Sequence, residues 1–337
     1  MLVQSMTSTP TWRIRQTVNQ IKELEKEGCE IIRLGVPDLK SARSLSEIKK
    51  SVSTPLVADI HFSGRLALES INQGIDKLRI NPGNFPKNEL KEIVKSAKKN
   101  KIPIRIGINS GSLEKDILGK HKKVTAQMMV DSAMRHIRLM ESLSFNNLVI
   151  SLKAPDVKRT IEAYEMLARK TDYPLHLGVT EAGGKFSGTI KSSIALGHLL
   201  LQGIGQTIRV SLSAHPVEEV KAAWAILKSL NLRQRGIEII SCPTCARAEI
   251  NVIKLSAKIE HLTACIEKPL KIAVMGCVVN GLGEAREADL AVVGVKQGAL
   301  LAVKGKIIKK ISQNNILKEF EKEFRNLLKK NGAKLKQ

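Results

Sequence analysis

The sequence has 337 residues, 43% apolar and 26% charged, an ordinary globular balance with enough chain for two packed domains. No run approaches the roughly 18 uninterrupted apolar residues of a membrane helix. The opening MLVQSMTSTPTWR lacks the basic stretch and long apolar core of a secretory signal, so a cytoplasmic protein with no membrane partner is expected. Lys and Arg number 55 against 32 acids, a net charge of +23, which alone suggests an anionic partner such as nucleic acid. A chain only 3% aromatic has few platforms for stacking single-stranded bases, and Lys-rich solvated faces account for the excess; no nucleic-acid partner is expected.

In chain order, β-branched apolar runs bounded by turn residues give eight strands before residue 215: LVQSMT, EIIRLGV, LVADIHF, KLRINPG, IRIGINS, LVISLKA, LHLGVTE and TIRVSLS. Amphipathic helical segments separate them, such as TVNQIKELEKEG with Val18, Ile21 and Leu24 on one face. Eightfold strand–helix alternation predicts a parallel (β/α)8 TIM-type barrel. A doubly wound open sheet, which usually has fewer strands and a glycine-rich first turn, is the alternative. SGSLEKDILGKHKKVT reads as an inserted loop or short helix over one rim. The last barrel helix, Glu218 to Leu230, leads through the polar linker NLRQRG to a second alternating region. Its segments are IEIISCPTC, a helix AEINVIKLSAKIEHL, strands KIAVMGC and ADLAVVGV, a hairpin ALLAVKGKIIKKI and a C-terminal amphipathic helix. The expected domains are 1–235, the barrel, and 236–337, a small α+β domain.

Active groups of (β/α)8 enzymes sit at the carboxyl ends of the strands, and here those ends are charged. Arg33, Arg79, Arg105 and Arg209 occur in four strands, Asp59 and His61 end the third and Asn109 the fifth. Lys153 ends the sixth, Thr180 and Glu181 the seventh, and Ser211 the eighth. Guanidinium forks match phosphate oxygens bidentately and Lys adds a point charge, so the ring predicts a phosphate or diphosphate substrate; pairing of the arginines with Asp59 and Glu181 is the competing reading. Gly183, Gly184 and Gly188, leading into a helix, could turn backbone N–H groups toward an anion. Lys153 could also form a Schiff base, as in aldolase barrels.

Five cysteines, Cys29, Cys242, Cys245, Cys265 and Cys277, make a poor disulfide framework and a plausible metal set. Cys242-Pro-Thr-Cys245 is read as opening a helix, with Cys277 in the glycine-rich turn MGCVVNGLGEA and Glu284 seven residues on. Soft thiolates on flexible backbone suit an iron–sulfur cubane, while zinc and a redox dithiol remain open. Cys29 and Cys265 read as small packing residues.

At these motifs the sequence resembles the 4-hydroxy-3-methylbut-2-enyl diphosphate synthase family of the methylerythritol phosphate pathway. The likeness includes LVADIHF, RINPGN, RIGINSGSLE, SLKAPDV, HLGVTEAG, SGTIKSSIALG, TIRVSLSA, ISCPTC and VMGCVVNG. It implies reductive opening and dehydration of 2-C-methyl-D-erythritol 2,4-cyclodiphosphate, with two electrons delivered singly by flavodoxin or ferredoxin through a [4Fe–4S] cluster. It makes Cys242, Cys245, Cys277 and Glu284 the cluster ligands and Arg33, Arg79, Arg105, Lys153 and Ser211 diphosphate binders. Asp59, Asn109 and Glu181 then lie near the reacting carbons, with Glu181 as proton donor. Arg209 joins the substrate-binding set through the arginine ring.

The sequence departs from the family at several points. Members usually begin earlier, with a segment covering the barrel bottom that this sequence lacks. Leu282 stands where the family has proline, which is expected to loosen the turn at Glu284. Gln206 and His215 replace acids. Because the last barrel helix returns the chain to the face opposite the arginines and the linker is short, a homodimer is expected, each cluster domain closing on the partner's barrel.

Overall fold

The computed structural model describes residues 1–119 and 123–330 and divides into two compact units, Met1–Leu230 and Asn231–Gln337. In the first, strands alternate with helices: β1 (Leu2–Met6), α1 (Ile14–Lys26), β2 (Ile31–Gly35), α2 (Leu39–Arg43), α3 (Leu45–Lys50), β3 (Leu56–Asp59) and α4 (Gly64–Asn72). There follow β4 (Lys77–Ile80), α5 (Lys87–Lys99), β5 (Ile104–Asn109), α6 (Lys115–Leu118), α7 (Ala126–Ser142), β6 (Leu148–Lys153) and α8 (Val157–Ala168). The unit ends with β7 (His176–Leu177), α9 (Lys185–Leu201), β8 (Thr207–Ile208) and α10 (Pro216–Ser229). The short helix expected in SGSLEKDILGKHKKVT is α6; Lys120, His121 and Lys122 of that segment lie outside the described residues.

The sheet runs β6-β5-β4-β3-β2-β1-β8-β7, with every neighbouring pair parallel. A single parallel bridge, Ile150 to Leu175, joins β6 to β7 and closes the ring. Just above that bridge the seam is held by a side chain rather than a ladder. Tyr164 of α8, fully buried, accepts a hydrogen bond from Leu152 N at 3.0 Å and donates one to His176 O at 2.6 Å. Strands seven and eight have only two residues each, shorter than LHLGVTE and TIRVSLS suggested. One further bond, Arg209 N to Leu177 O at 3.0 Å, continues the pairing before both chains leave the sheet.

Parallel register carries side-chain direction from strand to strand. Met6 pairs with Arg33, Gly35 with Asp59, Asp59 with Arg79, Arg79 with Arg105 and Asn109 with Lys153. His176 pairs with Thr207, whose other neighbour is Leu2. These residues therefore share one face, the barrel interior. The alternate residues, among them Ile32, Leu34, Leu56, Ala58, Leu78, Ile104, Ile106, Ile108, Leu152, Leu177 and Ile208, are buried in the apolar layer under the helices. The run Ile104-Arg105-Ile106-Gly107-Ile108-Asn109 thus puts its isoleucines outward into helices and its polar residues inward.

The second unit comprises β9 (Ile237–Ser241), α11 (Val252–Thr263), β10 (Leu270–Met275), α12 (Val278–Glu287), β11 (Leu290–Val295), β12 (Gly298–Val303), β13 (Lys306–Ser312) and α13 (Ile316–Lys330). Its sheet order is β13-β12-β11-β10-β9, parallel from β9 to β11 and antiparallel beyond. Ile272, Val274, Leu290 and Val292 pack with Leu255, Ile259, Phe320 and Phe324, so α11 and α13 cover one face. Ala273, Met275, Ala291 and Val293 meet Ala285 and Ala288, so α12 covers the other. The C-terminal helix expected from sequence reaches Lys330; residues 331–337 lie outside the described chain.

Two local readings are corrected here. Cys242-Pro-Thr-Cys245 does not open a helix: residues 242–251 form an irregular loop, and α11 starts at Val252, capped by Asn251 Oδ1 accepting from Lys254 N at 2.9 Å. The loop instead spends its backbone on the neighbouring strand end, with Cys242 N donating to Val274 O and Glu249 N to Gly276 O. The glycine-rich segment after Cys277 is likewise no turn but helix α12, with Cys277 as its N-cap. Gly281 lets that helix lie close to the sheet; a Cβ there would come 3.1 Å from Met275 Cβ. Leu282, exposed within the helix, sits where a proline would remove a backbone donor.

Candidate functional site

The interior face brings together Arg33, Asp59, Arg79, Arg105, Lys153 and Arg209, drawn from six strand positions around the ring. Asp59 is the hub on one side. Arg79 Nη1 donates to Asp59 Oδ1 at 3.0 Å and lies 2.8 Å from His61 Nε2, while Arg33 Nε sits 3.6 Å from Asp59 Oδ2. Burial would raise the Asp59 carboxyl, but Arg33, His61 and Arg79 outweigh it and hold the group well below the usual carboxylate range. Burial and the like charges of Arg209 and Arg79 bring Arg33 down to about 10, against the pull of Asp59. Arg33 also places Nε and Nη2 at 3.1 and 3.0 Å from Met6 Sδ, a soft acceptor with no charge to offset.

Across the ring, Glu219 is the second hub. It comes from the first turn of α10, is buried, and accepts Arg209 Nε at 3.2 Å and Arg209 Nη2 at 3.1 Å as a bidentate pair. The same carboxylate accepts Ser5 Oγ at 2.9 Å and Leu212 N at 3.1 Å, tying β1, the end of β8 and α10 together.

Arg105 and Lys153 have no carboxylate within ion-pair distance among the described residues. Arg105, fully buried, donates from Nη1 to Gln4 Oε1 at 2.9 Å; its Nε and the Gln4 amide nitrogen have no partner. Lys153 is buried with its Nζ 3.3 Å from His176 Nε2. Burial first, then the surrounding guanidinium groups, press both cations well below their ordinary values. Two glycines make room for this crowd. A Cβ on Gly107 would fall 2.7 Å from Arg79 Nη2 and closer still to its Nε, and one on Gly178 would fall 2.7 Å from Lys153 Nζ.

The remaining barrel residues of the sequence reading stand at the mouth. Asn109 ends β5, half-buried, and Ser211 lies just past β8, also half-buried. Glu181 is exposed in the loop after β7 with φ 51°, a left-handed conformation that an L residue with a full side chain rarely adopts. A buried cationic interior with orphaned donors, ringed at its opening by Asn, Ser and a carboxylate, is equipped to take a polyanion.

In the second unit, Cys242 follows the end of β9 and Cys277 follows β10, its parallel neighbour, so the two lie at the same end of the sheet. All five cysteines are free thiols. Cys242 Sγ accepts a hydrogen bond from Gly276 N at 3.0 Å. Cys245 is exposed on the same loop, and Glu284, half-buried, stands two helical turns beyond Cys277 on α12. Three thiols and a carboxylate from one loop and one helix at one end of the sheet have the composition of an iron–sulfur donor set, but among the described residues no three of them stand close enough together to hold a metal ion. Cys265 is exposed beyond the end of α11 and Cys29 is buried in the barrel, where burial first pushes its thiol up to about 12.

Two family models match the chain, the GcpE TIM-barrel domain over residues 1–224 and the GcpE protein C-terminal domain over residues 238–326. The chain belongs to the GcpE family. Among its curated relatives, the 4-hydroxy-3-methylbut-2-en-1-yl diphosphate synthase (flavodoxin) of Caldanaerobacter subterraneus is 54% identical over 97% of this chain and 93% of that protein. The proteins of the same name from Clostridium acetobutylicum and Geobacillus kaustophilus are 53% and 52% identical, over 96% and 100% of this chain and 93% and 90% of theirs. Among solved structures, dihydropteroate synthase from Stenotrophomonas maltophilia aligns with a TM-score of 0.50 at 17% identity, over 68% of this chain and 92% of that one, a likeness of barrel fold alone.

Sequence reasoning about this GcpE-family chain missed Gln4, Gly107, Tyr164, His176, Gly178 and Glu219. Period-two parity held the signal for most of them, since His176 and Gly178 sit in step with each other exactly as Arg105 and Gly107 do. Glu219 was marked by its place beside Val220 and Ala223 on the buried side of α10. Gly107→Ala should push Arg79 off Asp59, cost about 1–3 kcal/mol of stability and weaken inorganic diphosphate binding. Urea unfolding and calorimetric titration read both effects; an alanine variant as stable and as tight as the parent would show that this gap does not seat Arg79.

Proposed function

We infer that this chain is an iron–sulfur oxidoreductase doing what its relatives are named for, forming 4-hydroxy-3-methylbut-2-enyl diphosphate by reductive opening and dehydration of 2-C-methyl-D-erythritol 2,4-cyclodiphosphate in isoprenoid precursor synthesis. The observation that carries this is 52–54% identity along nearly the whole of both chains to synthases of that name. Flavodoxin, named for those relatives, is the proposed electron donor, with ferredoxin as the other candidate. Five free thiols suit a reducing cytoplasm.

In this reading Arg33, Arg79, Arg105, Lys153 and Arg209 bind the diphosphate, with Ser211 adding a hydroxyl at the mouth. Asp59, fixed by two guanidinium groups, orients the erythritol hydroxyls together with Asn109. Glu181, in reach of solvent, gives a proton to the oxygen that departs as water. Cys242, Cys245, Cys277 and Glu284 would hold a [4Fe–4S] cluster, which supplies the two electrons one at a time. A partner's cluster domain over the mouth would exclude water and strengthen each charge contact.

A homodimer completes the reading. Helix α10, antiparallel to the strands, returns the chain to the face opposite the cations, and linker residues 231–236 reach at most about 21 Å. Helix α10, with 14 residues, is itself about 21 Å long, so a linker that must also round the helical layer has no length to spare, and the partner's barrel is the proposed target. Val278, Val279 and Leu282 beside Cys277 are exposed, an apolar surround that such a cover would bury.

Anaerobic reconstitution tests the chemistry: the brown protein should convert the cyclic diphosphate to the linear one. Cys242→Ser, Cys245→Ser and Cys277→Ser should each lose iron and turnover, while Cys265→Ser keeps both. Normal iron in any of the first three would overturn the ligand set. Mixing Glu181→Gln with Cys277→Ser under subunit exchange should restore activity from two dead variants. Background activity after demonstrated exchange would mean that each cluster serves its own barrel.

A further inference from the structure

His176 is one of the deepest polar side chains in the barrel and has no role in the chemistry described above. It lies fully buried on the inward face of β7, in register with Thr207 of β8. Its Nδ1 is 2.8 Å from Thr207 Oγ1 and its Nε2 is 3.3 Å from Lys153 Nζ. While Lys153 is an ammonium, with donors only, the nitrogen that faces it at 3.3 Å is the acceptor. The ring proton then sits on Nδ1 and is donated to Thr207, which fixes the tautomer. Burial, with Arg105, Lys153, Arg33 and Arg209 nearby, keeps the ring neutral, pressing it well below the ordinary histidine value.

Three further features fit this small machine. Gly178, two residues on along the same face, leaves the slot that Lys153 occupies, since a Cβ there would also lie 2.6 Å from Arg209 O. Tyr164 bridges Leu152 N and His176 O, fixing the spacing of the strands that carry Lys153 and His176. The charged groups that act most on the Lys153 ammonium are Arg105, Arg209, Arg33 and Arg79, all of its own sign. Without an acceptor, that ammonium would be driven away from the guanidinium groups with which it has to converge on one anion.

We propose that His176, set by Thr207 in its Nδ1-protonated tautomer, is a positioning residue that holds the Lys153 ammonium for the substrate diphosphate. This rests on the reading of the barrel interior as the diphosphate site. The imidazole touches no substrate atom; it acts through Lys153. Thr207 acts one step further back, through the tautomer.

The test uses the reconstituted full chain with the cyclic diphosphate, beside nitrogen-15 NMR of the labelled imidazoles. Lys153→Ala should raise KM by about tenfold or more. His176→Leu should raise KM by about tenfold with kcat within about twofold. His176→Gln, whose amide oxygen can stand near the place of Nε2, should recover most of that loss. Thr207→Val should weaken binding in the same sense, and the double variant with His176→Leu should be no worse than His176→Leu alone. The parent spectrum should show His176 protonated on Nδ1, and Thr207→Val should shift population to the other tautomer. If Lys153→Ala leaves KM unchanged, the diphosphate-site reading falls and this proposal with it. If Lys153→Ala weakens binding while folded His176→Leu does not, or Gln rescues no better than Leu, the positioning role alone is overturned. Should His176→Leu fail to fold, the Thr207→Val tautomer shift and KM decide: an unchanged spectrum or an unchanged KM overturns the proposal.

Discussion

Like charges crowded on the inward face of the barrel set the conditions that the rest of that unit meets. Two unit charges 4 Å apart at an effective dielectric of 20 repel by about 4 kcal/mol, and here Arg33, Arg79, Arg105, Lys153 and Arg209 share one interior with Asp59 and Glu219 as their carboxylate partners. Four devices seat these five cations. Asp59 holds Arg33 and Arg79, Glu219 clamps Arg209, Gln4 takes Arg105 and His176 takes Lys153. Barrel interiors are usually filled by bulky apolar side chains; this one gives up that packing energy, and the apolar layer between strands and helices carries the stability instead. The interior is left with donors that point inward and lack acceptors, Arg105 Nε and Gln4 Nε2 among them. A diphosphate bound there, as proposed, would supply both a charge partner and acceptors for these donors.

Much of this could be read from the chain. Eight apolar runs interleaved with amphipathic helices specify the barrel, because strand and helix periods differ and each run has to bury a face. The arginines stood out because an Arg inside an apolar strand needs an anion, and parity along Ile104–Asn109 already sends Arg105 inward. What could not be read depends on neighbours distant in sequence. Glu219 reaches Ser5, 214 residues away, and the pairing of Lys153 with His176 depends on how Tyr164 spaces β6 and β7. The length of β7 and β8 was misjudged for a related reason: their extended composition continues past Leu177 and Ile208, but the backbone leaves the ladder where Gly178 admits Arg209.

In the second unit the cysteine spacing was legible and its local structure was not. A CxxC resembles a helix opening, yet Pro243 and the bonds from Cys242 and Glu249 to the end of β10 hold residues 242–251 as a loop. Two glycines suggested a turn after Cys277, but Gly281 lets α12 lie flat on Met275 and Val293, while Gly283 faces open space. That helix sets Glu284 two turns from Cys277, so the carboxylate is presented from a rigid element while Cys242 and Cys245 come from a loop.

On the proposed reading the barrel interior is an electrostatically incomplete site that the substrate diphosphate finishes. Thermal unfolding of the full chain at low salt, without reductant, tests it directly, comparing added cyclic diphosphate with the same carbon skeleton lacking phosphate. A ligand that binds only the folded state at a hundred times its Kd adds about 2.7 kcal/mol, so the midpoint should climb with diphosphate concentration, and less in Arg105→Ala. The phosphate-free polyol should leave it unmoved. A midpoint indifferent to the diphosphate, or raised as much by the polyol, would contradict the claim.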